Sequence, residues 1–499
     1  MMNRRQAIAA AQWLASRNGG AAQSPLLVVF SGPAQSNTIG LMDPTLVTGY
    51  PGIDTPNSSI TFVQKNAPAA VAPPVFVTEG PSSLGPRVSP IGGSYAAGRA
   101  GVELSMLPEL STALGGRTVY GIKLAVDGSS AVNHWDTNGL TTDLMAELYA
   151  LIDTWSATWG IDNLADNMLI VPNQGEADTG QTYAVNFAAW ESILITKLRG
   201  RYGNVRILIT ATTSTSDTTG NVRAAQTAIA AKYTRVRWVG CNDLTLRDVA
   251  HYNDQGYAVL GSRLAVAGAE LISDAARTTP YVKAIGPITV ASSVQSITPT
   301  LPPHAADDIL LFVVAALGNT SYTLSPDNGF TAVTGGDVHD GGNALNARLQ
   351  LFWKRAASGA ESAPTMTDLG GDDSKIGLVL NLGNCKATGD FWSAIASATE
   401  ATDTSVSFPT LASTVVANAL VLNIIATRAD VSAAQGSAWV NADLAGVMEL
   451  HDDHNTSSAG YGLIVVEGRK AVAGAVAATT GTLATTSDKA MITIAIAPP

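Results

Sequence analysis

Four short blocks in the first 280 residues carry the side chains that acyl transfer requires. Asp248-Val-Ala-His251 sets an aspartate three residues ahead of a histidine. Its carboxylate can hold one ring nitrogen while the other faces a nucleophile, which makes an oriented base that works near neutral pH. Gly32-Pro-Ala-Gln-Ser-Asn37 offers Ser36 as that nucleophile, just after an apolar run and with its own amide free to donate to an oxyanion. Gly101, directly before a helical stretch, is a candidate second donor, because a glycine there lets backbone amides approach an anion. Pro172-Asn-Gln-Gly-Glu-Ala-Asp178 adds the Gln174 amide and two carboxylates, Glu176 and Asp178. That spacing suits a glycosidase or metal pair, and equally a loop organised by its own hydrogen bonds.

Taken singly, each block has a plain structural reading. Ser36 is a serine in a polar turn, Asp248 a residue ahead of a helix, and His134 in Asn133-His-Trp135 a pocket-rim or core histidine. Cys241 and Cys385 lie far apart and have neither disulfide nor zinc-ligand spacing, so no metal or other cofactor is expected.

The elements that must position these blocks follow from periodicity. Apolar runs at Leu26–Phe30, Val119–Val126, Met168–Val171, Val205–Thr210 and Val236–Val239 read as strands. They alternate with helical stretches at Val102–Leu114, Thr142–Trp159, Tyr183–Leu198, Val222–Tyr233 and Gln255–Ile272. This rhythm predicts a five-stranded parallel sheet with helices on both faces, an α/β fold whose site lies beyond the carboxyl ends of the strands.

In this order and on these elements, the blocks resemble the SGNH hydrolase superfamily, specifically the carbohydrate esterases of the sialate and xylan O-acetylesterase type. The family's Gly-Gln-Ser-Asn opening corresponds to Ala34-Gln-Ser-Asn37, with Ala34 in place of the glycine and Gly32-Pro33 ahead of it. Its Gln-Gly-Glu-x-Asp block is Gln174-Gly-Glu-Ala-Asp178, and its Lys-x-Ala-x-Gly-x-Ser with a downstream Trp is Lys123 to Ser129 with Trp135. The terminal Asp-x-x-His, followed by Gly-Tyr and an alanine-rich helix, is present as well. The resemblance covers about residues 24–275. It implies a three-layer α/β/α domain with Ser36 as nucleophile, His251 as base and Asp248 as its orienting partner. It further implies an oxyanion hole of Ser36, Gly101 and Gln174, support from Gln35, Asn37 and Glu176, and a substrate pocket at Lys123, His134 and Trp135.

The texture changes after Asp274. Residues 277–287, with Thr-Thr-Pro and Gly-Pro, read as a linker, and 288–499 as an all-β sandwich of short strands. The strands are expected at Ile288–Val294, Ile309–Ala315, Ala347–Trp353, Ile376–Leu382, Phe391–Ala396, Ala419–Ala426, Tyr461–Glu467 and Ala490–Ile496. No internal repeat of fixed period is evident. Ala305-Ala-Asp-Asp-Ile-Leu-Leu311, Asn328-Gly-Phe-Thr331 and Leu351-Phe-Trp-Lys-Arg355-Ala-Ala look like a bacteriophage tail or receptor-binding module. Trp353, Trp392 and Trp439 suit stacking on sugar rings or a place in the core, the core being the commoner fate. His451-Asp-Asp-His454 has residues that could bind a metal but no third ligand at suitable spacing, and it reads as a solvated turn.

Composition bounds the partners. The chain has 499 residues, a net charge of -11 and 46% hydrophobic residues, which disfavours nucleic acid and anionic membrane. Residues 281–499 hold 10 of the 29 basic and 19 of the 40 acidic residues, a net of -9, so most of the net negative charge belongs to the second part. No apolar run approaches the ~20 residues of a membrane helix. Residues 1–23, with Arg4-Arg5 ahead of Ala7–Ala15, are expected to be an uncleaved helical arm, the alternative being a twin-arginine signal peptide. The readings are then an O-acetylesterase on a virion tail or other host-attachment protein, a glycan-binding structural or adhesive virion protein, and a secreted acetylxylan-type esterase with a carbohydrate-binding module. The first brings acetylated polysaccharide and other tail proteins as partners and a symmetric homo-oligomer, such as a trimer.

Overall fold

The computed structural model describes residues 24–34, 37, 47, 50, 57–67, 77–84, 87–88, 97–99, 101–137, 139, 142–173, 175–273, 279–291, 296–317, 322–339, 347–367, 375–428, 435–455 and 461–499. The arm at 1–23, Gln35, Ser36 and Gln174 lie outside the described residues. The chain divides into two compact units, one ending at Asp274 and the other running from Ala275 to Pro499.

The first unit is α/β. Its sheet joins β1 (Leu26–Phe30), β2 (Asn57–Ala67), β3 (Val77–Leu84), β4 (Val119–Val126), β5 (Met168–Ile170), β6 (Arg206–Thr210) and β7 (Val236–Val239) in the order β3-β2-β4-β1-β5-β6-β7. All neighbours are parallel except β2 and β3. The five expected strands are all present, but the sheet has seven. The additional β2 and β3 carry sequences, NSSITFVQKNA and VTEGPSSL, too polar or too broken by Gly-Pro to read as strands.

Strand β1 is buried on both faces, as a central parallel strand must be. Leu27 and Val29 join one apolar cluster with residues of α2 (Leu144–Thr158) and α3 (Tyr183–Glu191). On the other face lie α1 (Glu103–Ala113) and α5 (Asp254–Ile272), while α4 (Asn221–Lys232) precedes β7. Helices α1 and α5 meet at Gly261, where an added Cβ would stand 2.0 Å from Ser105 Oγ and 2.4 Å from the Val102 carbonyl. Ser105 Oγ donates to the Ala258 carbonyl at 2.9 Å and locks this crossing. It ties the segment after Gly101 to the helix that follows His251.

The second unit is β-rich throughout its described residues. Its first large sheet contains β8 (Tyr281–Ile285), β9 (Thr289–Ala291), β10 (Ile309–Leu317), β11 (Thr331–His339), β12 (Ala347–Arg355) and β13 (Lys375–Gly383). The second contains β14 (Trp392–Ser407), β15 (Ala419–Thr427), β16 (Gly436–Val440), β17 (Ala445–Asn455), β18 (Tyr461–Lys470) and β19 (Thr480–Ile496). Two smaller sheets are formed by Ser296–Ile297, Thr323–Leu324 and Met366–Thr367, and by Leu411–Val415 and Gly474–Val476.

Two expectations are corrected here. The supposed linker contains β8, which pairs antiparallel with β13. His451–His454 is not a solvated turn but the end of β17, with the Asp452 side chain fully buried and accepting from the Gln435 and Gly436 amides at 2.7 Å each. Among the described residues, no helix is long and apolar enough to cross a membrane.

Candidate active site

Three of the four blocks meet beyond the carboxyl ends of β1, β5 and β7, where Asn37 reaches Glu176 and the Ala250 carbonyl. After β1, Ala34 makes a parallel bridge to Asn173, beyond β5. The Ala34 carbonyl accepts from the Val126 amide at 3.2 Å and Ser129 Oγ at 3.1 Å. Ala34 is itself fully buried within the apolar cluster, so its methyl group is accommodated where the resembled family has glycine.

Asn37 ties three segments together. Its Nδ2 donates to Glu176 Oε1 at 2.9 Å and to the Ala250 carbonyl at 2.9 Å, and its Oδ1 accepts from the Tyr257 hydroxyl at 3.0 Å. Asn37 is 0% exposed, and both of its amide hydrogens are used. The residue after Ser36 is thereby fixed to the Glu176 loop, to the loop bearing His251 and to α5.

The Asp248–His251 relationship is local and well formed. His251 Nδ1 lies 3.0 and 2.9 Å from the two Asp248 oxygens, and Asp248 Oδ1 also accepts from the Ala250 and His251 amides at 2.9 and 2.8 Å. Desolvation pushes the Asp248 carboxyl up, but the Ala250 amide together with the His251 ring and amide outweighs it and holds the group below its ordinary value. The side chains are 24% exposed for His251 and 46% for Asp248, so the pair is open to solvent. The loop's backbone is fixed from outside by Ser216 Oγ, which donates to the Val249 carbonyl at 2.8 Å.

The two carboxylates of the third block do not form a pair. Glu176 serves Asn37, whereas Asp178 is buried and accepts from Ser130 Oγ at 2.6 Å and from the Ala131 and Val132 amides at 2.8 and 3.3 Å. Gly175, directly ahead of Glu176, has φ +148°, and a Cβ there would stand 1.9 Å from Thr212 Oγ1, so the turn demands glycine.

Gly101 and Lys123 are placed differently from expectation. The Gly101 amide donates to Glu103 Oε1 at 3.0 Å, and the same oxygen accepts from Lys123 Nζ at 2.6 Å. Lys123 and Trp135, expected at a substrate pocket, are 0% and 1% exposed. Trp135 Nε1 donates to Ser129 Oγ at 3.0 Å. His134 is half-buried and its Nδ1 accepts from the Ser130 amide at 2.8 Å; desolvation lowers its pKa, with Asp178 opposing.

Tyr257, Glu103 and Ser216 escaped the sequence reading. Tyr257 was visible only as part of a Gly-Tyr pair, and nothing local announced the other two. Cys241 is buried and its thiol is pushed up to about 12 by desolvation, so it is no nucleophile. Among the described residues, no group of three or more His, Cys, Asp or Glu could hold a metal ion.

No family model matches the chain, and no curated protein matches it. Among solved structures, it is similar to a protein from Arabidopsis thaliana at 20% identity, covering 50% of this chain and 99% of that one, with a TM-score of 0.35. It is also similar to a carbohydrate acetylesterase from Xanthomonas citri at 13% identity, covering 70% of this chain and 80% of that one, with a TM-score of 0.38.

Proposed function

We propose that the α/β unit is a carbohydrate O-acetylesterase that works by a Ser-His-Asp mechanism. One observation carries the reading: His251 is held by Asp248 at 2.9 Å on a loop that Asn37, the neighbour of Ser36, grips through the Ala250 carbonyl. Ser36 Oγ attacks the acetyl carbonyl carbon while His251 Nε2 takes the hydroxyl proton. The tetrahedral intermediate collapses, the sugar hydroxyl leaves with that proton, and an acetyl-serine remains. Water then attacks with the same base and releases acetate. Asp248 keeps the ring in the productive tautomer and stabilises its charged form.

The Ser36 amide and the Gln174 side chain supply oxyanion donors. The Gly101 amide, expected as a third donor, is held by Glu103 Oε1 instead. The β-rich unit, taken as a sandwich module, attaches the esterase to a virion tail and its other proteins, where the chain acts on acetylated host polysaccharide as a homo-oligomer.

The test is acetate release from a panel of acetylated bacterial glycans, with Ser36→Ala as control and a serine-directed phosphonate as probe. Release that the substitution abolishes supports the reading. No release from any glycan, together with no phosphonate adduct at Ser36, sinks it.

A further inference from the structure

The two large sheets of the second unit have the same topology. In the first, the strands lie in the order β8-β13-β10-β12-β11; in the second, β14-β19-β15-β18-β17. Leaving aside β9 and β16, which pair off these paths with β13 and β19, both read first, fifth, second, fourth, third in chain order, and all neighbours in both are antiparallel.

The registers coincide residue by residue. Ala316 stands between Arg348 and Lys375, and Thr427 between Gly462 and Lys489. Lys375 and Lys489 are both fully buried. Phe312 stands between Phe352 and Val379, and Asn423 between Val466 and Thr493. The substitutions between these positions compensate one another. Phe312 packs over Gly377, where a Cβ would lie 3.0 Å from its ring; in the second sheet the smaller Asn423 comes with the larger Met491. Arg348 pairs with Asp337; in the second sheet Gly462 leaves room for His454, whose Nδ1 lies 3.2 Å from Asp452.

Corresponding faces are covered in corresponding ways. Phe312, Val314 and Phe352 share a core with Ile297 and Met366 of one small sheet, while Val421, Ile425 and Val466 share one with Leu411 and Val476 of the other. The opposite faces, with Leu311, Val313 and Leu351 on one sheet and Leu422, Ile424 and Val465 on the other, are fully buried, and the two sheets meet there. Among the inner strands the contacts are reciprocal: β12 touches β19 as β18 touches β13, and β12 touches β15 as β18 touches β10; β11 packs in addition on β14 and β19. Reciprocity of this kind, carried here by the inner strands, is the mark of an isologous, two-fold contact.

We infer that residues 281–383 and 392–496 are two copies of one module, and that the large-sheet face of the module is a self-complementary surface whose partner is a second copy of itself. The unit is a fused pseudo-dimer. This inference is independent of the esterase reading.

The test transplants the first module's central packing into the second within the full chain. Asn423→Phe alone meets Met491 and lowers the melting temperature by about 5 °C. Asn423→Phe with Met491→Gly and Thr493→Val rebuilds the Phe312, Gly377 and Val379 arrangement and recovers most of that loss. A triple variant no more stable than the single one overturns the equivalence. A second full-length chain carries a further copy of the first module in place of the second. A soluble, protease-resistant protein is expected; aggregation or ready proteolysis overturns the self-complementary surface.

Discussion

Asn37 Nδ2 stands 2.9 Å from Glu176 Oε1, across 139 positions of sequence. The same nitrogen reaches the Ala250 carbonyl, so one buried amide sets the spacing between the segment after β1 and the loop of His251. Asn37→Asp keeps the shape but removes both donor hydrogens and places a second carboxylate beside Glu176. Each lost charge-assisted or buried bond costs about 1–3 kcal/mol, which at the transition state is about 10- to 100-fold in rate. The expected outcome is a fall in kcat of that size with KM little changed. Steady-state kinetics on an acetylated glycan checks it, with circular dichroism confirming the fold, and an unchanged kcat removes Asn37 from the machinery.

Asp248 gives a prediction with a pH signature. Asp248→Asn retains a side-chain amide that bonds either ring nitrogen state poorly for catalysis, and a loss of about 10³–10⁴ in kcat is expected if Asp248 orients His251. The sign of the stability effect follows from the carboxyl lying below its ordinary 3.8 in the folded protein, where the amide and imidazole bonds outweigh desolvation. A depressed carboxylate contributes stability above its unfolded value and loses it as the pH falls through the folded one. The melting-temperature gap between parent and variant should therefore be flat above about pH 5 and close below about pH 4. Because Asp248 is nearly half exposed, solvent screens the effect and the gap is small. A gap that widens on acidification contradicts this assignment.

The parts of the molecule legible in sequence are those whose cause is local. Strand β1, Leu-Leu-Val-Val-Phe, reads as a central parallel strand because both of its faces are apolar. The Asp248–His251 pair reads as a dyad because three positions separate its members. Strand β11 was missed because only Val333 and Gly336 of its nine residues are buried. His451–His454 looked solvated because its compensating amides, at Gln435 and Gly436, come from another strand. The duplication was hidden for a related reason. Paired exchanges such as Phe312 with Gly377 against Asn423 with Met491 conserve volume while erasing identity, and unequal loops remove any fixed period.

Lys123 and Glu103 form an ion pair in the interior of the α/β unit. The pair is buried to 1% and 4% side-chain exposure, with Nζ 2.6 Å from Oε1 and 5.7 Å from the Phe62 ring centroid. Such a pair adds little over a well-packed apolar one, but breaking it strands a charge in the interior. Lys123→Met leaves Glu103 buried with only the Gly101 amide on its charged oxygen. A loss of about 3–5 kcal/mol is expected for the α/β unit. Adding Glu103→Leu removes the stranded charge and should recover most of that loss, at the expense of the Gly101 turn that the carboxylate organises. Urea unfolding of the parent, the single and the double variant measures both steps. If the double variant is as unstable as the single, the cost lies in packing at Lys123 and not in the uncompensated carboxylate.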